Sequence, residues 1–178
     1  MFRLNRTVAL VGMMGSGKSA LGRRLADHLK VSFKDADTEI EEAAGCSINE
    51  IFARFGESAF RDGERRVIQR LLKDQPFILA TGGGAFADEA IRKALAERAI
   101  SIWLKAPLDV LLARTSKRDS RPLLKNGDPH QTLKRLMSER DPFYAMSDIT
   151  IESGNRPHQQ AIDEITSALM KHGALRDE

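Results

Sequence analysis

At 178 residues the chain is long enough for one α/β domain with a real core and too short for two ordinary ones. A composition of 42% hydrophobic and 30% charged residues excludes a disordered chain, and no apolar run approaches the ~20 residues a membrane helix needs, so no membrane partner is expected. The formal charge of +3, from 28 Lys and Arg against 25 Asp and Glu, comes without a dense basic block and with few stacking aromatics, which argues against nucleic acid and for small anionic partners.

The first strand-like run, residues 7–12, begins so near Met1 that no signal or transit peptide is expected before it. Gly12-Met13-Met14-Gly15-Ser16-Gly17-Lys18-Ser19 follows, and then a helical run through Leu21, Leu25 and Leu29. This is the full P-loop pattern in the strand–loop–helix setting it requires. The glycines let backbone N–H groups turn inward around phosphates and the helix N-terminus adds its dipole. Lys18 reaches the β- and γ-phosphates, and the Ser19 hydroxyl is placed for Mg²⁺. ATP or GTP binding follows, while the motif by itself leaves kinase, ATPase, GTPase switch and regulator open.

A second strand, 31–35, ends in Asp35-Ala36-Asp37. Two residues apart in extended chain, both carboxylates point to one side, where one can hold water on Mg²⁺ and the other can orient an acceptor hydroxyl or take its proton. The pair also suits a strand end and a helix N-cap, with Asp37 as the cap. Residues 38–73 form a mostly helical insertion larger than a crossover needs. Its helix 57–72 carries Phe60, Val67, Ile68, Leu71 and Leu72 as an apolar stripe, with Arg61 and Glu64 on or beside that stripe. The glutamate can hold the guanidinium while the fork stays free for a carboxylate ligand, although a structural ion pair at the helix margin fits the same spacing. Cys46, the single cysteine, can form no internal disulfide and suggests a reducing cytosol.

The third strand, 76–81, runs into Gly82-Gly83-Gly84. Three glycines are costly to order, so bare backbone is expected to approach a substrate ring or the γ-phosphate there. A helix at 88–97, a strand at 99–104 and a further helix ending near Arg114 come next. Arg114 could clamp the nucleotide or simply sit exposed at a helix C-terminus. Residues 115–129 are polar, with Lys117, Arg118, Arg121 and Lys125, and read as a mobile lid; on closure Arg121 would neutralise charge on the transferring phosphoryl group while Pro122-Leu123-Leu124 exclude water. A helix beginning near His130 sets Arg140 at the end of the face made by Leu133, Leu136 and Met137, and Pro142 is expected to stop it. The last strand spans 148–152.

Strands alternating with helical segments through the whole chain indicate α/β architecture: a three-layer α/β/α domain over 1–178 with a five-stranded parallel sheet, a helical substrate-binding insertion and a lid. Ligands of such sheets bind at the carboxyl ends of the strands.

Taken in order, the P-loop, Asp35-Ala36-Asp37, Ser47-Ile48, Ile51-Phe52, Gly56-Glu57, Phe60-Arg61, Glu64, Gly82-Gly83-Gly84, Arg121-Pro122-Leu123-Leu124 and Arg140 with Pro142 and Tyr144 resemble the shikimate kinases over nearly the whole chain. The resemblance implies the P-loop kinase fold and ATP- and Mg²⁺-dependent phosphorylation of the shikimate 3-hydroxyl, in the pathway to chorismate and the aromatic amino acids. It implies that Asp37, Arg61, Gly83 and Arg140, with Gly82 and Gly84 flanking, hold shikimate. Gly15, Ser16, Gly17, Lys18, Ser19 and Ala20 would hold ATP with Arg114 and Arg121, while Gly154 to Pro157, Arg156 among them, border the adenine. Ser19 and, through water, Asp35 would serve the metal; Lys18, Asp37 and Arg121 would carry catalysis. A cytoplasmic monomer is expected. The rival acceptors are gluconate and nucleoside monophosphates, against which the two arginines and the glycine triplet argue. A regulator without phosphoryl transfer would be credible only without Asp37, Arg61 or Arg140. Gly63, inside a helix, has no physical account at this level.

Overall fold

A computed structural model describes residues 1–117 and 127–178. Five parallel strands form the central sheet: β2 (Thr7–Val11), β3 (Phe33–Asp35), β4 (Ile78–Ala80), β5 (Ala99–Lys105) and β6 (Ile149–Glu152), in the spatial order β3-β4-β2-β5-β6. Two short antiparallel strands, β1 (Phe2–Leu4) and β7 (Leu175–Asp177), join the chain ends. β2 lies at the centre, and the chain proceeds to one side through β3 and β4 and to the other through β5 and β6. The carboxyl end of β2 is therefore the switch point where a doubly wound sheet opens a crevice.

Side-chain alternation along β2 explains the three layers. Ala9 and Val11 enter the core shared with α2 (Ala36–Ala44), α3 (Ile48–Leu71), α4 (Glu89–Arg98), α5 (Leu108–Thr115) and α6 (Pro129–Tyr144). Val8 and Leu10 face the opposite core, which is built on α1 (Lys18–Leu29) and α7 (His158–Lys171). All five residues of β2 are buried, as both faces of a parallel sheet require.

Three local expectations change. The carboxylates of Asp35 and Asp37 do not share an extended strand, because α2 begins at Ala36; Asp35, not Asp37, is the N-cap, accepting from the Asp37 and Thr38 N–H groups at 3.0 and 3.4 Å. The insertion holds most of α2 and then a kinked helix, α3, capped by Ser47 and broken at Gly56, whose φ of 83° and ψ of 174° are not helical. Pro142 does not stop α6, which runs on to Tyr144. In the last turn a proline removes one N–H, and the Ala145 N–H still closes onto the Asp141 carbonyl at 2.9 Å. Of the lid expected at 115–129, Arg118, Arg121, Pro122, Leu123, Leu124 and Lys125 lie outside the described residues. At its far end Asp128 caps α6 by accepting from the His130 N–H at 3.1 Å, with Pro129 in the first turn.

Candidate active site

A cleft of about 880 Å³ opens at the carboxyl end of β2. Gly15, Ser16, Gly17, Lys18, Ser19 and Ala20 line it together with Asp35, Asp37, Gly82, Gly83, Arg114, Arg156 and Pro157. Most of the residues expected from the sequence are thus gathered in one space. Arg61, Gly84 and Arg140 stand just beyond its wall, against the glycine turn, and Arg121 is outside the described residues.

The phosphate loop is built by local backbone chemistry. Gly15 and Gly17 have φ of 81° and 94°, a conformation that L side chains rarely adopt, and a Cβ on Gly15 would fall 2.9 Å from Thr115 Cγ2. Lys18 is nearly buried and donates to the Gly12 and Met13 carbonyls at 2.6 and 2.9 Å, so the ammonium is stationed at the loop's inner rim. Two side chains brace the loop from outside. The Arg114 fork bridges the Gly15 and Gly154 carbonyls, both at 3.1 Å, and the Ser153 hydroxyl donates to the Ser16 carbonyl at 2.5 Å. Ser153 carried no sequence signal beyond its place at the end of β6. Arg156 makes a two-pronged contact with Glu164, at 2.7 and 2.9 Å; that hydrogen bond raises the guanidinium's pKa and lowers that of the carboxyl.

At the loop's exit the Ser19 hydroxyl donates to Asp35 Oδ2 at 2.5 Å, while Asp35 Oδ1 caps α2. Two hard oxygens side by side, one of them anionic, suit a magnesium ion that takes few protein ligands and fills the rest of its shell with water and phosphate. Among the described residues no group of three His, Cys, Asp or Glu side chains could form an all-protein metal cage.

The acceptor side converges on Gly82-Gly83-Gly84. A Cβ on Gly82 would fall 2.9 Å from Glu64 Oε2 and 3.1 Å from Asp37 Oδ1; on Gly83, 3.2 Å from Arg140 Nη1; on Gly84, 2.5 Å from Arg61 Nη2. The bare backbone leaves room for the site's own charged side chains, while Gly82 and Gly83 also face the cleft. Arg61 pairs with Glu64 at 3.0 Å and with Glu57 at 3.5 Å. Glu64 is fully buried, and burial raises its pKa against the lowering effect of Arg61, with Asp37 and Asp88 adding to the rise. Arg140 is 7% exposed, and its Nη1 has no hydrogen-bond partner among the described residues. A buried guanidinium nitrogen without an acceptor costs free energy unless an anion meets it. The arrangement can therefore hold a carboxylate beside a phosphate cradle.

Comparison with known proteins agrees with this geometry. The family model described as shikimate kinase matches residues 14–170. A shikimate kinase of Bradyrhizobium diazoefficiens is 54% identical over 167 residues, covering 94% of this chain and 81% of the relative. One from Caulobacter vibrioides is 52% identical over 164 residues, covering 92% of this chain and 82% of the relative. Among solved structures, the shikimate kinase from Acinetobacter baumannii in complex with shikimate superposes with a TM-score of 0.90 at 36% identity, covering 94% of each chain.

Proposed function

The chain belongs to the shikimate kinase family and is an ATP-dependent kinase of shikimate, and from that premise we propose how its residues divide the work. The observation that carries this reading is the buried Arg140 Nη1, without an acceptor among the described residues, beside Gly83 and across the glycine turn from Arg61. Arg140 and Arg61 take the shikimate carboxylate, with Glu64 holding Arg61 in place. Asp37, in the first turn of α2 and against Gly82, accepts a hydrogen bond from the 3-hydroxyl and orients its oxygen. That oxygen forms the new P–O bond as the bond from the γ-phosphorus to the bridging oxygen breaks; the hydroxyl proton leaves to Asp37 or its water, and ADP departs with the electron pair.

Residues 15–20, Lys18 above all, hold the phosphates, and Arg114, Arg156 and Pro157 border the base. Ser19 and, through water, Asp35 would hold Mg²⁺, which would supply neutralisation of charge on the phosphates. The unit acts as a monomer and works in the cytoplasm; of the large apolar side chains most exposed among the described residues, Phe55 lies in α3, Met170 in α7, and Met1 and Met146 outside any helix or strand. Light scattering in solution tests that state.

The assignment is tested by ADP release with ATP and Mg²⁺ in the presence of shikimate, gluconate, several nucleoside monophosphates or no acceptor. Turnover is expected with shikimate alone. Turnover with a different acceptor would leave the phosphate cradle standing and overturn the roles of Arg61 and Arg140.

A further inference from the structure

Each carbonyl of the glycine turn has a partner, and the middle one is unlike the others. Gly82 O accepts from the Ala85 N–H and Gly84 O from the Ala87 N–H, both at 3.2 Å, so these two are satisfied by the short 3₁₀ turn Ala85–Ala87 itself. Gly83 O instead accepts from the hydroxyl of Tyr144, which reaches across from α6. That hydroxyl also lies 3.9 Å from Met13 Sδ, and Met13 is the residue whose carbonyl receives Lys18. The phosphate loop, the glycine turn and the last turn of α6 therefore meet at one phenol. Gly83 presses directly on the loop, since a Cβ there would lie 3.4 Å from Met14 N.

Tyr144 is 1% exposed and its ring packs 5.8 Å from that of Trp103, centre to centre. A phenylalanine would fill the same space, and a buried hydroxyl is unfavourable unless bonded. The hydroxyl's uses here are its bond to the Gly83 carbonyl and its contact with the Arg140 guanidinium. Tyr144 follows Arg140 by four residues, so one face of α6 presents both the carboxylate ligand and the anchor of the turn.

We propose that Tyr144 is a positioning residue for phosphoryl transfer: by fixing the Gly83 carbonyl it holds the acceptor turn against the phosphate loop, so that the bound acceptor hydroxyl meets the γ-phosphoryl group in line. The inference rests on the assignment of the acceptor site above. Tyr144→Phe, Arg140→Ala and, on the far face of the sheet, the core variant Leu169→Ala are compared for melting temperature and for steady-state constants toward shikimate and ATP. Tyr144→Phe is expected to lower kcat/KM for shikimate by about tenfold to a hundredfold with KM for ATP unchanged, while Leu169→Ala loses stability without that selective loss. Shikimate constants unchanged in Tyr144→Phe, or a loss that Leu169→Ala reproduces, would overturn the proposal. If Arg140→Ala also left shikimate constants unchanged, the acceptor-site assignment itself would fall.

Discussion

Asp37 and Tyr144 make opposite demands on their protons, and each can be tested one residue at a time. Asp37→Asn keeps the shape of the side chain but removes its charge and turns one acceptor oxygen into a donor, so ATP binding is expected to persist while turnover falls by ~10²-fold or more. Near-normal turnover would remove Asp37 from that role. The phenol of Tyr144 is held un-ionised by burial, which pushes its pKa up to about 12 against the lowering influence of Arg140. Since the folded-state value lies above the ordinary 10, the stabilisation is complete below that ordinary value and is lost as pH rises toward about 12. Tyr144 is the single tyrosine in the chain, so a spectrophotometric titration reads it without deconvolution: no phenolate should appear until well above the ordinary range, and an ordinary midpoint in the folded protein would refute the buried, bonded state. Arg61 and Arg140 stood out in the sequence because they interrupt apolar helix faces, where a charge needs a partner. The anchoring contact of Tyr144 was not legible, because a tyrosine on an apolar stripe has the pattern of any core aromatic; its signals are the four-residue spacing from Arg140 and its place in the ordered set of family residues.

At the level of elements, the glycine turn and α3 are read differently in space than in sequence. Three glycines in a row showed that close approach was needed; the structure brings side chains from α2, α3 and α6 against them, which no local pattern contains. Gly84 has ordinary backbone angles, φ −96° and ψ −5°, so Gly84→Ala carries no backbone strain and acts by displacing the Arg61 guanidinium, 2.5 Å from the new methyl. The variant is expected to keep its ATP constants, to raise KM for shikimate several-fold and to lower the melting temperature, because buried Glu64 loses its partner. Gly63 behaves otherwise. It lies within α3 and a Cβ there would meet nothing within 4 Å. Gly63→Ala should therefore stabilise the fold by about 0.5–1 kcal/mol, read as a rise in melting temperature of roughly 2–4 °C per kcal/mol. The strand pattern was legible because runs such as residues 7–11 are buried on both faces. The course of α6 through Pro142 was not, because the cost of a proline depends on which helix turn it occupies.

For the whole molecule, the strand order sets the chemistry. Placing β2 between β4 and β5 brings the phosphate loop, the end of β3 with Asp35, and the glycine turn after β4 to one edge of the sheet, and α6 returns Arg140 and Tyr144 to the same edge from across the cleft. The alternation of strands and helices was enough to infer a parallel sheet and a site at its carboxyl edge. It could not show that donor and acceptor sites share a wall, in which Met13 and Met14 back onto Gly83 and Tyr144. The central claim is that a carboxylate bound by Arg140 and Arg61 places the acceptor against the phosphate cradle. Its most direct test is ADP release with shikimate and with its methyl ester, for the unaltered protein and for Arg140→Ala. The account predicts that esterification lowers kcat/KM by about tenfold to a hundredfold in the unaltered protein, the worth of a charged hydrogen bond, and by much less in Arg140→Ala. An equal penalty in both proteins would show that Arg140 does not bind the carboxylate, and would contradict the account.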